Sequence, residues 1–169
     1  MVLQSRTDEE QKRQAETEAL KALLESDAND LLEEEERLET EADALQTQRE
    51  REEKFDGQAS DETIDAIKTN NEERQKNADA LAEFYTNLAG SVEDPLLSQE
   101  FLKTAQEYMS KALGFESDAF DTSMIRHQNA LENLSEELAR VQASAQATSD
   151  ALSLAEAQGK ETTAADYQR

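Results

Sequence analysis

Cysteine is absent from this chain of 169 residues, and proline nearly so, with Pro95 the only one. No disulfide and no thiolate chemistry is available, and the redox compartment is left open. Glycine occurs four times, at Gly57, Gly90, Gly114 and Gly159, and tryptophan not at all. So few breakers in a chain rich in Ala, Glu, Leu and Gln favour long helices. Val and Ile are scarce and no segment alternates polar with apolar, so no strand is expected. No apolar run approaches the ~20 residues that span a bilayer. Met1 to Asp8 has no signal-peptide core, so the expected location is the cytoplasm or the inside of a particle assembled there.

Positive charge is the next shortage. Seventeen basic residues stand against 40 acidic ones, a formal net charge of −23. Such a surface repels phosphate backbones and anionic membranes, so neither nucleic acid nor membrane is an expected partner. The local basic grouping of Arg49, Arg51, Lys54, Lys68, Arg74 and Lys76 is interleaved with glutamates, the pattern of intrahelical ion pairs. An acid excess spread over the whole chain, with few lysines, fits a protein made for high salt. There the Debye length falls to roughly 3 Å and self-repulsion is screened. The competing reading of such charge is disorder, and the periodicity below argues against it.

Apolar residues recur at alternating intervals of three and four. The longest seam is Phe120, Met124, His127, Leu131, Leu134, Leu138, Val141, Ala145, Thr148, Leu152, Ala155. A stripe of that period stays on one side of a slightly underwound helix and must be covered by another helix. A second seam runs through Leu24, Ala28, Leu31, Glu35, Leu38, Ala42 and Leu45, preceded by Ala15, Ala19, Leu20 and Leu23. A third runs through Ile64, Ile67, Asn71, Arg74, Ala78, Leu81, Tyr85 and Leu88, with Asn71 and Arg74 as a polar interruption. Leu96, Leu97, Phe101, Leu102, Ala105, Tyr108, Met109, Ala112 and Leu113 cover more than a narrow stripe and predict burial on two sides.

Punctuation divides these seams into four predicted helices, about 8–55, 60–89, 95–113 and 118–158, flanked by flexible tails at 1–7 and 159–169. Phe55-Asp56-Gly57 ends the first, Ser60 caps the second, and Gly90 closes it. Asp94-Pro95 opens the third, Gly114 ends it, and Ser117 or Asp118 caps the fourth. The fold class is all-α, an antiparallel helical bundle or coiled coil of two long and two shorter helices. At ~1.5 Å per residue the helices are roughly 70, 45, 28 and 60 Å long. Stacked up and down, they predict a four-helix head and a two-helix stalk. In the stalk Ala15, Leu20 and Leu23 face Ala145, Leu152 and Ala155, small residues with little area per turn. Self-association or a partner is expected there.

Chemistry has no foothold. There is no Gly-rich phosphate loop, no nucleophile elbow and no His-Glu-x-x-His. His127 is the only histidine, and a di-iron bundle site wants two Glu-x-x-His pairs. The acidic run Glu33 to Glu36 lacks the spacing and glycine of a calcium loop. No enzyme activity, cofactor, metal or small-molecule substrate is expected. Phe101, Tyr108 and Phe115 are core candidates or, if exposed, a docking patch. The expected role is that of a non-enzymatic structural or assembly protein, a virion component or scaffold from a high-salt system, acting through self-association or within a larger assembly. A helical adaptor or chaperone, or an acidic mimic of a basic protein's ligand, are the other classes the composition admits.

Overall fold

The computed structural model describes the backbone of residues 2–167 and the side chains of residues 5–160. Among these residues the chain is all-α. Helix α1 is Val2–Glu25, a short 3-10 turn covers Ser26–Ala28, and α2 is Asn29–Asp56. Helix α3 is Asp61–Ser91 and α4 is Pro95–Tyr167. The chain divides into two compact units, Met1–Ile125 and Arg126–Arg169.

The turns between helices follow from local chemistry. Gly57 takes a left-handed φ of 84°, and its N–H donates to the carbonyl of Glu53 at 3.1 Å. A Cβ is disfavoured at that φ, so α2 stops on glycine. Ser60 caps α3, its Oγ accepting from the Thr63 N–H at 3.2 Å. Glu52 of α2 locks the same corner: it accepts from the Ser60 N–H at 3.1 Å and from the Thr63 hydroxyl at 2.9 Å. Asp94 caps α4 through its Oδ1 and the Leu96 N–H at 3.0 Å, with Pro95 in the first turn.

The hydrogen bonds from Thr63 and Ser60 hold the Glu52 carboxyl below the usual carboxylate range. A depressed folded-state value stabilises the fold above the unfolded-state value of about 4.3 and is lost as pH falls through the folded one. Glu52→Gln should therefore lower the melting temperature at pH 7. The gap to the wild type should close in a melting series carried below about pH 4. A gap that persists unchanged at low pH would remove the charge from this account.

Within residues 1–125 the column of α1 and α2, helix α3 and the first part of α4 pack side by side. The core joins Ala28, Leu81, Tyr85, Ala89, Leu97, Phe101 and Ala105. Tyr85 stacks on Tyr108, centroids 5.8 Å apart, and touches Phe101. Two asparagines set the register of α3 on α2. Asn70 Nδ2 donates to the Leu38 carbonyl at 3.0 Å, and Asn77 Nδ2 to the Leu31 carbonyl at 2.9 Å. They stand seven residues apart on α3 and meet carbonyls seven apart on α2, so the helices run antiparallel in one register. A polar layer of this kind specifies alignment at some cost in stability.

Helix α4 runs the same way as α1 and α2. Lys21 pairs with Glu100. Glu35 accepts from the Tyr108 hydroxyl at 3.1 Å and from Lys111 Nζ at 2.9 Å. Further on, Ala42 to Arg49 lie across from Asp118 to Ile125. This corrects the expected four-helix head. The chain does not turn at Gly114, and α4 passes through residues 114–117 as helix. A glycine inside a helix costs only ~1 kcal/mol, and here Ala112 and Ala119 on either side of it are buried. The head is a packing of three columns, not four: α1 and α2 joined through the 3-10 turn at Ser26–Ala28, then α3, then the first part of α4. With no reversal at Gly114, residues 115–125 continue beside α2 rather than returning toward α1. Gly90 does not close α3, which continues to Ser91. Helix α1 begins at Val2 and α4 continues to Tyr167, into stretches read as tails; Met1, Gln168 and Arg169 lie outside the described residues.

Candidate interaction surface

Helix α4 carries two stripes one position out of step. In the first unit the buried stripe is Leu97, Phe101, Ala105, Ala112, Ala119 and Thr122, with Tyr108 and Phe115 half-buried between them. Its spacing of three and four continues across Gly114. Beside it lies an exposed stripe: Leu102, Met109, Leu113, Phe120 and Met124, with Leu113 and Phe120 each about two-thirds exposed. The wide apolar face of residues 96–113 is therefore covered on one side only.

Among the described side chains of the second unit no buried stripe accompanies the exposed one. Every residue from Ala130 to Lys160 is exposed, and Leu131, Leu134, Leu138, Val141 and Leu152 each keep more than half their surface in water. Large apolar side chains left in water in a regular row are the surface feature that marks a partner site, in contrast to the scattered leucines of an ordinary surface.

The residues expected at the stalk are all exposed: Ala15, Leu20 and Leu23 on α1, and Ala145, Leu152 and Ala155 on α4. On α1 it is Thr17, Lys21 and Leu24 that are partly covered, extending the Leu24–Ala28 seam backward, whereas Ala15, Leu20 and Leu23 lie off it. The docking patch Phe101, Tyr108, Phe115 is corrected to core and core edge. Phe101 has no exposed surface, Tyr108 stacks on Tyr85, and Phe115 lies under the Arg74 guanidinium, 4.3 Å from ring centroid to Cζ. Burial raises the Tyr85 hydroxyl to about 12 and raises that of Tyr108 as well, with Glu35 adding to the second, so both rings stay neutral and structural. His127 is exposed. Leu102, Met109 and Leu113, expected on a face buried on two sides, form an exposed row instead. Their offset from Phe101, Ala105 and Ala112 is the signal that separates the two stripes.

Charge on the first unit is arranged along helices. Arg37 bonds Glu34 and Glu41, Arg49 bonds Glu53 at 2.8 Å, and Lys68 sits 3.7 Å from Glu72. Such exposed pairs contribute little each and consume the basic groups that a phosphate ligand would need. Between α2, α3 and α4 lies an open polar groove of about 340 Å³, with Arg49 and Arg74 on one side and Asp118 and Asp121 on the other. Its buried polar atoms all have partners, so nothing in it calls for a ligand. Among the described residues no three His, Cys, Asp or Glu side chains gather to hold a metal ion, and no helix is long and apolar enough to cross a membrane. Comparison with protein-family models, curated proteins and solved structures finds no match to this chain.

Proposed function

We propose that this chain is a non-enzymatic structural or assembly protein that works by helix-on-helix contact. The observation that carries the reading is the apolar row of α4, regular at coiled-coil spacing and exposed through residues 130–160. A particle or scaffold component made for high salt fits the charge of −23. A helical adaptor that takes a partner's amphipathic helix is the second reading, favoured by the shorter exposed row Leu102, Met109 and Leu113.

Mass and helicity measured together across a salt series test the proposal. Screening of a strongly acidic chain should raise both melting temperature and oligomer mass as the Debye length shortens from about 10 Å at 0.1 M to about 3 Å at 1 M. Oligomer stability should also rise with protein concentration. A compact monomer, fully helical and equally stable in dilute buffer and at molar salt, would sink both the assembly reading and the high-salt setting.

A further inference from the structure

We propose that residues 127–152 pair antiparallel with the same segment of a second copy of this chain. The inference rests on the assembly reading above and names its partner. The seam here has eight positions: His127, Leu131, Leu134, Leu138, Val141, Ala145, Thr148 and Leu152. Large residues fill its first half and mostly smaller ones its second. Antiparallel pairing about the midpoint sets Leu138 against Val141 of the second copy, Leu134 against Ala145, Leu131 against Thr148, and His127 against Leu152. Each of the eight layers then holds one leucine and one smaller or more polar residue, so the helices stay at constant separation. Parallel, in-register pairing instead stacks histidine on histidine, leucine on leucine, alanine on alanine and threonine on threonine. That groups the bulky layers in the first half and the small ones in the second, so the helices would have to splay or leave gaps at Ala145 and Thr148.

Charge points to the same occupant. The chain's net charge is −23, yet residues 126–160 hold only Arg126, Arg140 and Lys160 against Glu132, Glu136, Glu137, Asp150 and Glu156. The positions flanking the seam are Ser, Ala and Gln, with Glu137 their single charge. Flanking charges set partner choice in coiled coils, and a basic partner would call for acidic flanks. Neutral flanks leave two copies free to approach without the repulsion that the acidic first 125 residues would impose. Two helices packed 8–10 Å apart over about 38 Å bury on the order of 1,000 Å² in total, at the lower bound for a specific interface. A lone helix that buries nothing has no such term and is marginal in water.

The full chain tests this directly, because it has no cysteine of its own. Leu131→Cys and Thr148→Cys variants, one carrying a tag, are mixed and treated with a short bismaleimide linker. The expected product is the mixed dimer. Strong linking of Leu131→Cys to itself, without mixed product, would overturn the antiparallel order. In parallel, Leu131→Glu with Leu138→Glu should weaken self-association at least about a hundredfold by sedimentation. Both leucines are exposed in the single chain, so the packed core of the first 125 residues should keep its melting temperature at high salt, and any helicity lost should be that of the unpaired seam. An oligomer whose mass survives the double substitution overturns this pairing and leaves the assembly reading standing. A wild-type chain of one-copy mass at every concentration and salt overturns both.

Discussion

Phe101→Ala should destabilise the fold by about 3–5 kcal/mol, whereas Phe120→Ala should change it by no more than about 0.5 kcal/mol. The two residues have the same side chain on the same helix. Phe101 has no exposed surface and lies against Tyr85 where α3 and α4 meet the end of α1, beside Ala28 and Leu97. Truncation removes a ring and leaves a cavity that the stacked pair Tyr85 and Tyr108 cannot fill without giving up its geometry. The core is small and alanine-rich, and total stabilities of domains this size run about 5–15 kcal/mol, so the loss is a large part of the whole. A fall in melting temperature on the order of 10 °C is expected. Phe120 is about two-thirds exposed and leaves little behind when cut back. Chemical denaturation of both variants, at a protein concentration low enough to keep the chain monomeric, decides the matter. Equal losses would mean that the seam beginning at Phe120 is core after all.

That comparison also shows where the sequence was readable. Periodicity identified helices throughout, and the corners follow from residue chemistry: Gly57 in a left-handed turn, Ser60 bonded to the Thr63 N–H, Asp94 before Pro95. The choice of buried face on α4 was not readable from hydrophobicity. The exposed row carries leucines, Phe120 and Met124. The buried row past Phe101 is mostly Ala105, Ala112, Ala119 and Thr122. Small residues score low on any apolar scale but let helices approach closely, and here close approach is stabilised by stacked rings and by Asn70 and Asn77 reaching backbone carbonyls. Glu35, the one acid on the second seam, is satisfied by Tyr108 and Lys111, two partners far away in sequence. The candidate surface was half legible. Its period is in the sequence, but that Leu102, Met109, Leu113 and Phe120 lie one position off the buried row appears only once α4 is packed on α2 and α3.

Gly114→Ala and Asp118→Pro test that continuity, with opposite signs under the two geometries. Gly57 is the only described residue with positive φ, so Gly114 has a backbone that alanine adopts freely, and a Cβ there meets nothing within 4 Å. Alanine should then stabilise by about 0.5–1 kcal/mol, through higher helix propensity and a less free unfolded chain. Proline at 118 should cost about 3 kcal/mol or more, because an interior proline removes the bond to the carbonyl four residues back and presses its ring against that carbonyl. Were a helix to end at Gly114 and another to begin near 118, both signs would reverse. Alanine would be forced into the left-handed C′ position, and proline would enter a first turn where its missing N–H is not needed. Asp118 is exposed and its neighbour Ala119 is buried, so the proline penalty is to the helix and, through Ala119 and Thr122, to the packing beyond it. Loss of helicity with Asp118→Pro, measured together with a gain in melting temperature for Gly114→Ala, is the result a continuous α4 requires.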